Sequence, residues 1–102
     1  MALANYALTT TPSIIYQSTG NSVVSVMYFC NTTASAIGIS LFLVPSGGVA
    51  ATTTNMAYDN VIIAAGDTFV IDTEKLILSN GDMIAGSATA TGILVSWSYI
   101  DY

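Results

Sequence analysis

The chain has very little charge and few groups capable of acid–base chemistry. Of its 102 residues only 7% are charged: one Lys, no Arg, no His and six acids, for a net charge of −5. Binding to nucleic-acid phosphates requires several cations, so a single Lys argues against a nucleic-acid partner. With no His and one Cys, the common zinc ligand sets are missing as well. We therefore expect neither a metal nor a cofactor.

The few candidate catalytic groups lie in patterns that favour structural roles. Cys30 is the only thiol; it lies in an apolar run without an adjacent base, which predicts a small buried hydrophobic residue. Asp72 and Glu74 stand beside Lys75, an arrangement typical of a solvated turn with a weak ion pair. The other acids lack the spacing of a calcium-binding loop. These observations predict that the protein is not an enzyme.

Long hydrophobic runs are also missing. The most apolar stretches, residues 23–30 and 37–44, are interrupted by Ser or Gly and are far shorter than the ~20 residues of a membrane-spanning helix. The first residues lack the basic region of a secretory signal. We expect no membrane partner and no export.

Apolar and small polar residues make up most of the sequence. Hydrophobic residues account for 53%, alongside 13 Thr, 11 Ser and 13 Ala, and the mean hydropathy is +0.68. Free monomers usually remain soluble through scattered charges of both signs. One interpretation is an ordinary β-domain with a Ser/Thr surface. The interpretation we favour is that much of the surface is buried against copies of the chain or against a partner.

Alternating apolar residues and regularly spaced turn residues predict an all-β fold. We expect a β-sandwich, jelly-roll-like, of about eight short antiparallel strands over residues 14–102. A polar loop is predicted at 49–56, and Trp97 and Tyr99 fall on an apolar strand face, which favours core packing over a sugar platform. The predicted strands are residues 14–17, 22–30, 37–44, 57–63, 68–72, 75–79, 83–88 and 93–100.

The N-terminal segment differs in character from the rest of the chain. Residues 1–13 combine a small apolar stretch with a Thr-rich linker, which predicts an extended N-terminal arm. Leu3, Tyr6 and Leu8 are costly to expose in a chain with so little charge. One interpretation of this segment is a frayed terminus. The other is an arm that docks on a neighbour, in which case we predict that these three side chains contact a partner.

Three segments contain distinctive turn and strand motifs. In residues 31–48, a turn rich in Asn, Thr and Ser leads into an alternating strand that ends in Val-Pro-Ser-Gly-Gly. Residues 63–72 and 78–85 each contain a further hairpin motif. These motifs resemble those of small virion proteins of tailed bacteriophages. The resemblance covers residues 14–100. It departs from the family pattern at residues 18–21, where Ser-Thr-Gly-Asn replaces a Val-Pro-Ala-Gly turn.

The resemblance implies a structural role in a phage particle. The lead expectation is a capsid decoration or cement protein, a homotrimer that bridges major capsid protein subunits and is located in virions assembled in the host cytoplasm. One alternative is a neck, tail or fibre component that contacts other virion proteins. A second alternative, from a different class, is a carbohydrate-binding β-sandwich module that uses exposed Tyr and Trp.

Overall fold

The described part of the chain folds into nine β-strands arranged in two antiparallel sheets, as the all-β expectation required. The computed structural model describes residues 2–48, 55–72 and 75–102. The strands are β1 (Ala2–Ala7), β2 (Ser13–Gln17), β3 (Ser22–Asn31), β4 (Ile37–Val44), β5 (Met56–Ile63), β6 (Thr68–Ile71), β7 (Leu76–Leu78), β8 (Met83–Ala88) and β9 (Ile93–Asp101). The eight strands predicted from alternation agree with β2–β9 to within one residue at either end.

The two sheets enclose one main hydrophobic core. The first sheet has the order β1-β9-β3-β6, with β7 also paired to β3, and the second has the order β2-β8-β4-β5. Phe29 and Trp97 from the first sheet and Ile39 and Ile84 from the second belong to the same buried cluster. A smaller cluster forms around Phe42 in the second sheet. Most of the polar loop predicted at 49–56 lies outside the described residues.

The N-terminal segment is a strand of the first sheet, where the sequence predicted an extended arm. Residues Ala2–Ala7 pair with β9 in unbroken antiparallel register, from Ala2 opposite Tyr99 to Ala7 opposite Leu94. Leu8 continues the pairing, since its N–H donates to the carbonyl oxygen of Ile93 at an N···O distance of 3.0 Å. The backbone pairing satisfies polar groups that a free arm would leave to water.

A β-bulge in β3 determines which of its side chains enter the core. Val24 pairs with Tyr99 whereas Val26 pairs with Ser98, so one extra residue, Ser25, lies between them. Simple alternation places Val24 and Val26 on the same face. In the structure Val24 is buried in the core with Met27, while Val26 faces the other side of the sheet.

Two Gly-Asp turns use the same hydrogen bonds, as their repeated sequence suggests. Gly66 and Gly81 have positive φ angles of 72° and 89°, a conformation that favours glycine. The following residues, Asp67 and Asp82, donate their N–H groups to the carbonyl oxygens three residues earlier. The N···O distance is 3.0 Å in both hydrogen bonds. These turns connect β5 to β6 and β7 to β8.

Asn31 is a fully buried polar residue that holds the turn after β3 against the end of β5. Its Nδ2 donates to the carbonyls of Ser35 at 2.8 Å and Ile63 at 3.0 Å. Its Oδ1 accepts hydrogen bonds from the N–H and the hydroxyl of Thr33. Since Asn31 is buried, the Asn-Thr-Thr sequence here acts as a structural turn.

The Asn31→Ala substitution should destabilise the fold by roughly 2–4 kcal/mol, because it leaves buried backbone groups without partners. The measurement is urea unfolding followed by circular dichroism. Asn21→Ala, at an exposed position, serves as the control and should change the free energy of unfolding by less than about 0.5 kcal/mol. Equal stability of the two variants would contradict the role given to Asn31.

Candidate functional site

Among the residues that the structure describes, the side of the first sheet that points away from the core forms a continuous surface without a charged residue. We call this surface the outer face. Pairing aligns its rows across the strands: Leu3 with Ser98 and Val26, Asn5 with Ser96 and Tyr28, and Val23 with Ile100 and Ile77. Its residues are Leu3, Asn5, Ala7, Val23, Val26, Tyr28, Cys30, Thr68, Val70, Ile77, Leu94, Ser96, Ser98 and Ile100.

Large apolar side chains on the outer face are strongly exposed. Leu3 is 85% exposed, Ile77 69%, Leu94 48% and Tyr28 45%. Several strands are apolar on both faces, which is a sequence signal for this surface, but of its exposed residues only Leu3 was predicted as a site residue. A contiguous apolar surface of this kind marks an interaction site more often than isolated exposed residues do.

The charged residues of the described chain lie elsewhere. Asp67 and Asp82 are in turns, Asp59 is in β5 at the edge of the second sheet, and Asp101 ends β9. Lys75 lies between β6 and β7, where its Nζ donates to the carbonyls of Asp72 at 2.7 Å and Ser25 at 3.0 Å. A partner that covers the outer face therefore does not have to desolvate a charge at its centre.

A buried hydroxyl lies beneath the outer face. Ser98 is only 6% exposed, and within the part of the chain that the structure describes its Oγ has no hydrogen-bond partner. Ser98 lines a shallow depression together with Leu3, Val26, Tyr28 and Ser96. An unpaired buried hydroxyl costs about 1–3 kcal/mol.

The three partner-contact residues predicted from the sequence have different environments. Leu3 lies on the outer face and is the most exposed large apolar residue of the described chain. Tyr6 is half-buried against the core, and its hydroxyl is hydrogen-bonded with Ser13 Oγ at 2.8 Å. Leu8 is 2% exposed and belongs to the core cluster. Of the three, Leu3 alone has a strongly exposed side chain.

Two further predictions concern Trp97 and Cys30. Trp97 is 4% exposed and packs edge-on against Tyr16, with ring centroids 6.1 Å apart, so its core assignment is confirmed. It does not offer a ring face to a sugar. Cys30 is partly exposed on the outer face, opposite Leu94, so the prediction of a buried residue was wrong. The bulge at Ser25 explains the exposure of Cys30, because the bulge determines which side chains of β3 lie on the outer face.

A compact group of polar side chains joins β2, β3 and the end of β9. Ser22 is fully buried; its Oγ donates to Asp101 Oδ1 at 2.8 Å and lies 2.9 Å from both the Tyr16 hydroxyl and Ser18 Oγ. Burial keeps this serine away from any substrate, which favours a structural role. Within residues 2–48, 55–72 and 75–102, no group of three or more Cys, Asp or Glu residues is placed to hold a metal ion.

Comparisons with protein-family models, curated proteins and solved structures find no match to this chain. The described residues contain no helix long and apolar enough to cross a membrane.

Replacing each of the two buried serines should separate their roles. Ser98→Ala removes an unpaired hydroxyl, so the free energy of unfolding should be unchanged or higher by about 1 kcal/mol. Ser22→Ala removes a hydroxyl with several hydrogen-bond partners and should lower the free energy of unfolding by roughly 1–3 kcal/mol. Urea titrations of both variants provide the measurement. A loss in Ser98→Ala as large as that in Ser22→Ala would mean that the Ser98 hydroxyl is paired in solution.

Proposed function

We propose that this protein is a structural component of a phage virion, a decoration or cement protein that attaches to the major capsid protein through the outer face. The observation that carries the proposal is the uncharged, apolar outer face of the first sheet. The motif resemblance in residues 31–48, 63–72 and 78–85 supplies the phage context.

The size of the outer face is suited to a contact repeated many times. Four adjacent strands spaced ~4.8 Å apart, each about 25 Å long, give the outer face an area on the order of 500 Å². This is less than the ~800 Å² per partner of a typical stable complex. A contact of this size is weak by itself, and many copies on one lattice reinforce it, because a ligand that binds only the assembled shell stabilises that shell.

The strand order supports the jelly-roll topology predicted for the fold. Without β7, the first sheet joins the first and last strands of the chain, and the second sheet joins the second strand to the next-to-last. Jelly rolls are eight-stranded double sheets common in viral capsid domains. The arrangement agrees with the virion role.

The first test is the copy number of the protein in purified particles of the phage that encodes it. Quantitative mass spectrometry should give a number comparable to that of the major capsid protein. A handful of copies per particle would overturn the decoration role in favour of a neck, tail or fibre component. Complete absence would overturn the virion role altogether.

A second experiment tests the outer face directly on particles that lack the protein. Ile77→Lys places a charge on the outer face and should reduce binding at least about tenfold, because that charge must be desolvated on contact. Ile62→Lys is the matched control: Ile62, in β5 of the second sheet, is 62% exposed against 69% for Ile77. The control should bind like the wild type. Equal binding by both variants would show that the outer face is not the contact.

A further inference from the structure

The strand β1 is an unprotected edge of the first sheet. An edge strand exposes unpaired backbone N–H and C=O groups, and proteins usually protect such edges with charge, proline, bulges or short length. β1 has six residues, Ala2–Ala7, with no charge, no proline and no break in its pairing with β9.

The other edges in the described part of the chain each carry a protective feature. The register of β2 shifts between Ile14 and Tyr16, while β5 contains Asp59 and pairs with β4 through two register shifts. The edge beside β3 consists of the short strands β6 and β7, with Lys75 between them. β1 therefore stands apart as the edge available for pairing.

The backbone groups that β1 offers follow from the alternation of an antiparallel ladder. Leu8 donates to the carbonyl of Ile93, its opposite residue. Even-numbered residues of β1 thus bond to β9, and the N–H and C=O groups of Leu3, Asn5 and Ala7 point to the open edge.

We infer that two copies of this chain associate through antiparallel pairing of their β1 strands about a two-fold axis at Asn5. Opposite residues must lie on the same face of the joined sheet, so odd-numbered residues must face odd-numbered ones. Centring the pair on Asn5 places Leu3 opposite the partner's Ala7. In this register Leu3, Asn5 and Ala7, whose backbone groups point to the open edge, each lie opposite a residue of the partner strand.

The side chains of the outer face fit this register. Leu3 projects from one end of β1, and at the other end a shallow depression is lined by Asn5, Tyr6, Ala7, Leu94 and Ser96. With Leu3 opposite the partner's Ala7, each leucine meets the partner's depression, and the two contacts are equivalent. A two-fold interface requires this self-complementarity.

The charge distribution favours a second copy at this edge. Each chain has a net charge of −5, so two copies repel each other unless they meet where charge is lowest. Residues 2–12 and 93–100 contain no charged side chain. A two-fold pair is closed, so this association replaces the trimer expected from the resemblance. It does not depend on the proposed role in the virion.

Analytical ultracentrifugation over a concentration series is the primary test. The wild-type chain should reach twice its monomer mass. A monomer at every concentration, or a trimer, would overturn the proposal.

Asn5→Lys should raise the dimer dissociation constant about tenfold or more, because two lysines then lie directly opposite each other. Asn5→Gln keeps the amide and should associate like the wild type. Mixing Asn5→Lys with Asn5→Glu should restore association through an opposite-charge pair. Failure of this rescue, with both variants folded by circular dichroism, would place the interface elsewhere.

Cysteine cross-linking tests the register. In a Cys30→Ser background, Asn5→Cys should form disulfide dimers on mild oxidation, because residues opposite in a hydrogen-bonded pair lie ~5.5 Å apart between Cα atoms, within disulfide range. Leu3→Cys is the control: its two copies would be four residues apart along the strands, about 13 Å. Leu3→Cys should cross-link only when mixed with Ala7→Cys. Equal cross-linking of Asn5→Cys and Leu3→Cys alone would contradict the register.

Discussion

The antiparallel pairing of β3 with β9 is the interaction on which the rest of the structure depends. It is the longest ladder of the described chain, with nine paired residues, and it joins an early strand to the last one. β1 is attached to its β9 side, and β6 and β7 to its β3 side. The bulge at Ser25 lies within this ladder. The Ser25 hydroxyl donates to the carbonyl oxygen of Ser98 at a distance of 3.2 Å. The bulge decides which apolar residues of β3 enter the core and which form the outer face.

Strand positions were predictable from the sequence because alternation and turn residues are local signals. The Gly-Asp turns at 66–67 and 81–82 and the core position of Trp97 follow from such signals, and the structure has them. The face assignments of β3 and the exposure of Cys30 were not predictable, since a bulge depends on the pairing partner. For the same reason the sequence predicted an extended arm at residues 2–7, which are a strand in the structure through their pairing with β9. Of the three predicted site residues, Leu3 alone has a strongly exposed side chain.

The scarcity of charge shapes both the interior and the surface. In the described residues, buried polar groups such as those of Asn31 and Ser22 are satisfied within the chain, whereas Ser98 Oγ and Trp97 Nε1 have no partner. The described charged residues lie at turns, strand ends or the β5 edge. The outer face therefore combines apolar exposure with low desolvation cost, a combination that favours contact with another protein surface.

The unprotected edge and the outer face meet at Leu3, and this shared residue connects the two proposals. A single outer face is on the order of 500 Å², below the ~800 Å² per partner of a standard interface. Pairing through β1 would join two such faces into one continuous sheet surface on the order of 1,000 Å², which exceeds that size. The strand twist of about 20–25° per step would curve this surface, so it would fit a partner of matching curvature better than a flat one. On this argument, dimerisation closes an exposed edge and also builds a binding surface that one chain is too small to provide.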